Sequence, residues 1–522
     1  MFQKKDGIDT HLTLQDTMSI NMYLAAETEY RRGLAHRLID EGVIDFCLAD
    51  LLPWTERPAY HERIEVVDHR PSLMEEYDII CDLNELPTVG KELMEKMLPY
   101  ESMAIRLGMR RYNYPTTEYE EEKRKYLQHL RYWNYMLDKY KINLIVTQFV
   151  PHSQGKYVVY GLAKVKNIPI LLWHGDGTFL ERCFWGDSIE TIGKSIGERF
   201  VNLSKSDISD HQLDDDIVEG YNLAKKIQVV SERKKYDARI LGSYSGRLEK
   251  GIKIRRNQFM KQYIRSIVRS IVKTKSLSLH KAKEKWFRIN HRHLHAYYFY
   301  KKHIECRLCQ YNKMACEPDY SKNYILYLPQ VFPEASIIPL AGAFGEQYNS
   351  VQVLAKAAEK EGAYVYVKEH PHSPGRTKIF YDEISNIKNV RLIKTSELSY
   401  DLMKHCIAVA TQTGTCTWEA LCMGKPVLVF GGGYYWKRCP GVFEIVDEEQ
   451  GADIIRKVME GIEIDENDLK RYLYAIQSET IKEMSLEEYK KRAFDNTYKM
   501  PKFDLTDRVE LIKRFIKEKS IS

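Results

Sequence analysis

The feature that most restricts the fold is a repeated alternation of short apolar runs with helical stretches. Residues 142–146 (INLIV) and 168–173 (IPILLW) are apolar runs of strand length, separated by a loop at 151–155 and a helical stretch at 156–166. Strand, helix and strand at that spacing form a βαβ unit, whose strands must lie parallel in one sheet. The same rhythm occupies 324–430, with predicted strands YILYLP (324–329), AYVYVK (363–368), NVRLI (389–393), AVAT (408–411) and PVLVF (426–430). Predicted helices at 349–360 and 417–423 fall between them, so the stretch reads as a doubly wound parallel sheet. Toward the amino terminus, 18–47 reads as a helix running into an apolar stretch at 43–52. Further segments read as a strand at 77–83, a tyrosine-rich helix at 116–140 and a helical tail at 485–519.

At roughly 150 residues per domain, a 522-residue chain predicts two or three domains. The rhythm divides them into an α/β domain over 1–204, a basic helical segment over 205–320, a second α/β domain over 321–484, and helices over 485–522 that pack back toward the first. No apolar run approaches the ~18 to 20 residues that cross a bilayer, and the first residues lack a signal-peptide stretch. The expectation is a cytoplasmic protein whose ten cysteines stay reduced.

Charge is distributed unevenly. Residues 244–302 carry 17 Lys and Arg against two acids, a net of +15, so the remainder carries −9 of the overall +6. Met260, Tyr263, Ile264, Ile267, Val268, Ile271 and Val272 recur at helical spacing, with Lys261, Arg265, Arg269 and Lys273 between them. Such a helix either packs on a domain with its basic face in water or docks on an anionic membrane surface.

Several chemistries lack their motifs. Gly193-Lys194-Ser195 is not a P-loop, because the position five before Gly193 is Ser188, and there is neither a G-x-G-x-x-G after a strand nor a G-x-S-x-G elbow. His303, Cys306, Cys309 and Cys316 could supply four zinc ligands, but no second properly spaced pair accompanies them. The run Asp214-Asp215-Asp216 reads as a solvated helix start.

The informative residues sit at predicted strand ends. Lys368-Glu369-His370-Pro371 follows the strand YVYV directly, and doubly wound sheets bind ligands outside the carboxyl ends of their strands. Lys368 and His370 there can donate to phosphate or sugar oxygens. After AVAT, the turn Gln412-Thr413-Gly414-Thr415 opens a helix whose amide groups suit a phosphate, with Glu419 one turn on, placed to accept from ribose hydroxyls. Lys425, in Gly424-Lys425-Pro426, leads into the next strand and completes the candidate donor-binding set.

Pro333-Glu334-Ala335-Ser336, KEHP at 368–371, GTCTWEALCMGKPVLVFG at 414–431 and Tyr434-Tyr435 together resemble the bacterial capsule and surface polysaccharide biosynthesis family. That family is similar to glycosyltransferases of the two-domain GT-B type, including transferases that take the acidic sugar Kdo from its CMP-activated form. The resemblance covers about 324–446 and implies two Rossmann-like domains facing a cleft, with the basic helical segment between them. It implies a nucleotide-sugar donor, CMP-activated by preference, held by the second domain, and a glycan or lipid-linked glycan acceptor on the first. His370, Lys368, Gly414 and Thr415 would then serve the donor phosphate, and Glu419 the nucleoside. The catalytic base would come from the first domain, with Asp176 in the loop Trp173-His174-Gly175-Asp176-Gly177 the first choice and His174 and His152 the alternatives. No cofactor is expected, and no divalent metal is required if side chains and the helix dipole neutralise the phosphate. Transfer of a polyol phosphate, as in teichoic-acid polymerases with a His-Pro after a strand, is the alternative enzyme reading. A nucleic-acid-binding module is the non-enzymatic one, but no nucleic-acid motif accompanies the charge and no nucleic acid partner is expected.

Overall fold

A computed structural model describes residues 19–26, 29–51, 61–68, 83–109, 119–148, 150–151, 153–175, 182–204, 208–226, 256–258, 260–265, 294, 297–298, 301, 305–331, 337–370, 376–431, 435–482 and 505–521. The first unit begins with β1 (Asn21–Ala26), α1 (Glu29–Asp40), β2 (Phe46–Leu51), β3 (Ile64–Asp68), α2 (Lys91–Met109) and α3 (Tyr119–Lys139). It continues through β4 (Leu144–Gln148), α4 (Gln154–Val165), β5 (Ile170–Gly175), β6 (Arg182–Gly186), α5 (Lys194–Asn202) and α6 (Asp215–Lys226).

The chain's first predicted helix is corrected here: 21–26 is a strand, and the helix starts only at Glu29. The reason lies in two-sided burial. Strand β1 is central, paired in parallel with β2 on one side and β4 on the other. Tyr23 and Ala25 enter one apolar cluster while Met22 and Leu24 enter another. A strand covered on both faces shows a continuous apolar run, which by periodicity alone cannot be separated from a buried helix. The predicted strand at 77–83 falls on residues 69–82, outside those described, apart from Leu83.

In the first sheet β3, β2, β1, β4 and β5 are parallel in that order; β6 adds antiparallel to β5, and the short β13 (Ile481–Lys482) antiparallel to β6. The second unit runs α7 (Glu305–Met314), β7 (Tyr324–Tyr327), α8 (Gln347–Lys360), β8 (Tyr364–Val367), α9 (Lys378–Ser385), β9 (Val390–Leu392) and α10 (Ser399–His405). It closes with β10 (Ala408–Thr411), α11 (Cys416–Cys422), β11 (Val427–Val429), β12 (Val442–Glu444), α12 (Glu448–Gly461) and α13 (Glu466–Glu479). Its strands lie in the order β9, β8, β7, β10, β11, β12, all parallel. Renumbered from its own start this is 3-2-1-4-5-6, the Rossmann order. Strand β12 goes beyond the five predicted strands, because three residues reading Val-Phe-Glu show no period.

The chain returns to the first unit through α13, already before residue 485. Helix α13 packs on α5, and Arg471 donates to the Leu203 carbonyl (3.1 Å). The last helix, α14 (Thr506–Glu518), buries Val509, Ile512 and Phe515 with Leu34 and Leu38 of α1. Asp214 and Asp216, expected as solvated, hold the buried Arg182 at 2.5 and 2.7 Å and fasten the start of α6 to the edge of the first sheet. Of the basic segment, little is described: Lys261 and Arg265 are exposed, and so is Ile264 at 52%. Residues 266–293 lie outside the described set. No helix among the described residues is long and apolar enough to cross a membrane.

Candidate active site

Three connections leave the carboxyl edge of the second sheet at its centre, after β7, β8 and β10, and Gln330 ties them together. Its amide N–H donates to Gln347 Oε1 (2.8 Å), its carbonyl accepts from Gln347 Nε2 (3.2 Å) and from an Arg376 guanidinium nitrogen (2.8 Å), and its own Oε1 accepts from Thr413 N (2.8 Å). The turn after β10 is thereby locked to the loop after β7, and the segment after β8 to both. Gln412, fully buried, adds donation from Nε2 to Tyr327 Oη (2.6 Å) and Ser350 Oγ (2.8 Å).

The Lys368-Glu369-His370 segment rests on a buried network that sequence reading passed over. Glu369 is 1% exposed; its Oε2 accepts from Tyr381 Oη at 2.6 Å and faces Arg376 Nε at 3.4 Å, and its Oε1 accepts from the His370 amide at 3.1 Å. Its own amide donates to Tyr311 Oη (3.1 Å), which in turn lies 2.6 Å from the Ile393 carbonyl. Burial, and then the facing Glu369 carboxylate, push the Tyr381 phenol far above its ordinary range, so Tyr381 keeps its proton and serves as the donor. Arg376 also lies over the Phe380 ring at 4.9 Å. Glu369 is thus a fixed anchor, and the half-buried His370 beside it is the residue presented at the sheet edge.

Lys368 directly follows β8 and is 3% exposed; burial, and then the neighbouring carboxylates, raise the Glu397 carboxyl above its ordinary range, and the Lys368 charge offsets this only in part. Gly414 is buried and Thr415 exposed where α11 begins. In this turn the Thr413 amide donates to Gln330 Oε1 and the Thr417 amide to the Gly414 carbonyl. Close approach accounts for Gly431: a Cβ there would come 2.8 Å from the Gln412 carbonyl oxygen and 2.4 Å from Thr413 Cγ2. Cys416, within the same motif, is no thiolate; burial, then the nearby Glu419 carboxylate, push its thiol up to about 12. Glu419 stands half-buried on the first turn of α11.

Lys425 is not part of this cluster. It precedes β11 and donates from Nζ to the Cys406 carbonyl (2.9 Å), ahead of β10, which places it at the amino edge of the sheet. Asp176 and His152 lie outside the described residues, as do 332–336 and Tyr434; of His174 only the backbone in β5 is described. Cys309 and Cys316 are exposed free thiols, and among the described residues no group of three His, Cys, Asp or Glu could hold a metal ion.

On the first unit, a pocket beneath α4 is lined by Tyr23, Ala25, Thr147, Pro151, Lys156 and Tyr160, among others. Lys156 is 7% exposed, and burial pushes its ammonium down to about 7 from an ordinary 10.5. Between those two values the unfolded chain holds a proton that the folded one lacks, so stability rises with pH across that window and the penalty is complete below pH 7. At ~1.4 kcal/mol per unit the penalty amounts to a few kcal/mol.

The two edges are joined near this pocket. Arg106 of α2 pairs with Glu346 (2.5 Å), the neighbour of Gln347, and Gly108 lies against Gln154, two residues before Lys156.

Residues 274–443 match the family model described as "Capsule polysaccharide biosynthesis protein". No curated protein sequence matches the chain. Among solved structures, KpsC from Thermosulfurimonas dismutans, a β-Kdo 2,7 transferase, is similar at 13% identity over 65% of this chain and 78% of that one, with a TM-score of 0.27. The UDP-GlcNAc 2-epimerase of Methanocaldococcus jannaschii is similar at 12% identity over 88% and 98%, with a TM-score of 0.24. That of Neisseria meningitidis is similar at 11% over 96% and 100%, also at 0.24.

Proposed function

We propose that this chain, whose residues 274–443 match the capsule polysaccharide biosynthesis family, is a glycosyltransferase that moves a sugar from a nucleotide donor to a surface or capsular glycan. The observation that carries the reading is the knot at Gln330, which brings Lys368, His370, Gly414 and Thr415 to one edge of a Rossmann-type sheet inside the matched segment. Glycosyl transfer needs its leaving phosphate stabilised by donors already in place. The His370 ring, the Lys368 charge and the amides of Gly414 and Thr415 would supply that stabilisation, and Glu419 would accept from the ribose hydroxyls.

The donor we favour is a CMP-sugar. CMP is then expected to raise the melting temperature, since a ligand that binds only the folded state stabilises it, whereas UMP, UDP and GDP at equal concentration leave it nearly unchanged. A shift with UDP alone would move the assignment to UDP-sugars.

A lipid-linked acceptor would lie at a membrane, and the +15 segment would hold the enzyme to an anionic leaflet, each Lys or Arg contributing on the order of 1 kcal/mol. The protein should co-sediment with phosphatidylglycerol vesicles at low salt, and Arg265→Glu with Arg269→Glu should release it without altering nucleotide binding. Failure of the wild type to sediment at any salt concentration would remove the membrane from the account.

A further inference from the structure

Resting on the transferase reading, we propose that the Gln330 side chain is itself a ligand contact: its Oε1 holds the turn after β10 while its Nε2 donates to a phosphate oxygen of the nucleotide donor. In the strand order β9, β8, β7, β10, β11, β12 the winding reverses between β7 and β10, and doubly wound sheets take their ligands in the crevice at the carboxyl ends of such a pair. Gln330 lies three residues beyond the end of β7 and Thr413 two beyond the end of β10. The hydrogen bond from Thr413 N to Gln330 Oε1 (2.8 Å) therefore spans that crevice.

The partner fixes the orientation of the carboxamide. A backbone amide can only donate, so the atom facing Thr413 N is the oxygen, and the Thr413 hydroxyl donates to the same atom at 3.2 Å. The NH₂ group is thereby turned away from Thr413. It has no partner among the described residues, and it is not sealed in: Gln330 is half-buried, and Nε2 is absent from the enclosed unpartnered atoms. Both sides of this donor are held still. The Gln330 backbone is bonded to Gln347 and Arg376, and the turn opposite is pressed against Gly431, so little freedom is lost when a ligand replaces water there.

The chemistry of the place favours a phosphate. Nε2 belongs to the carboxamide that grips the amide of Thr413, the residue before Gly414, and so stands beside the turn proposed to serve the phosphate. A carboxamide NH₂ can only donate and carries no charge, so it adds a hydrogen bond to those of Lys368 and His370 without adding a third cation. As the sugar departs, negative charge grows on the phosphate and this hydrogen bond strengthens.

Gln330→Glu separates the two roles, because a carboxylate still accepts from the Thr413 amide but has no N–H to donate. The experiment titrates CMP and UDP into wild type and variant, follows the matching nucleosides by saturation-transfer NMR, and records thermal melts. The expected result is a melting temperature within about two degrees of wild type. The nucleotide that binds the wild type should bind the variant about 10- to 100-fold more weakly, as for a lost hydrogen bond to a charged group, while its nucleoside binds both proteins alike. The loss should persist in ~1 M salt, where a Debye length of ~3 Å screens repulsion through space. Gln330→Met, which removes donor and acceptor without adding charge, should show a similar loss together with a lower melting temperature. Wild-type nucleotide affinity in either folded variant, a loss that disappears in high salt, or an equal loss for the nucleoside overturns the contact and leaves the transferase reading standing. Failure of the wild type to bind any of CMP, UMP, UDP and GDP overturns that reading and the contact with it.

Discussion

His370→Ala is expected to slow sugar transfer by about 10²- to 10³-fold and to leave the melting temperature within a degree or two of wild type. The two halves of that expectation have separate physical sources. The segment is held in place by the His370 amide on Glu369 and by the buried network behind it, so loss of the imidazole does not release the backbone. What would be lost, on the proposed reading, is a donor to the charge that develops on the leaving phosphate. Steady-state kinetics beside a thermal melt check both halves together. Wild-type turnover in a folded His370→Ala protein would take this residue out of the site.

Glu369→Ala has the opposite character and the larger effect on stability. It leaves Arg376 buried without the carboxylate opposite it, Tyr381 without its acceptor at 2.6 Å, and the His370 amide without its partner. Removal of one partner from a buried ion pair typically costs about 3–5 kcal/mol. The second domain should therefore melt well below wild type, and activity should fall because the Lys368-to-His370 segment loses its anchor. Glu369→Gln preserves shape and the possibility of hydrogen bonding and should be milder on both counts. Denaturant unfolding followed by tryptophan fluorescence would register the change, since Trp418 and Trp436 stack at 5.3 Å within this domain. Equal stability of Glu369→Ala and wild type would mean the network is incidental.

The parallel architecture was readable wherever an apolar run and its flanking helices agreed, as at 142–173 and throughout 324–430. It failed at β1, where Met22 to Ala25 are buried on both faces and no alternation remains to tell strand from helix. Lys368 and His370 could be picked out because a strand of alternating Tyr and Val ends directly before them. Gln330, Gln412 and Arg376 could not, since each acts through one long-range contact, such as the 46-residue step from Gln330 to Arg376, that no local pattern encodes. Lys425 misled for the complementary reason: its position beside Gly424 and Pro426 identifies a helix-to-strand turn, and such turns lie at the amino edge, away from the ligand side. Gly424 itself, at φ 69°, supplies the left-handed residue that ends α11 there.

The central claim is that the second domain binds a nucleotide-activated sugar and releases the nucleotide as the sugar moves. It is tested most directly by incubating the protein and a capsular oligosaccharide with CMP-, UDP- and GDP-sugars and, separately, with CDP-glycerol, and resolving the products by mass spectrometry. The account predicts release of the nucleotide, CMP foremost, together with an acceptor heavier by one sugar residue, and no product from CDP-glycerol. An acceptor heavier by glycerol phosphate, with every nucleotide sugar left intact, would contradict it.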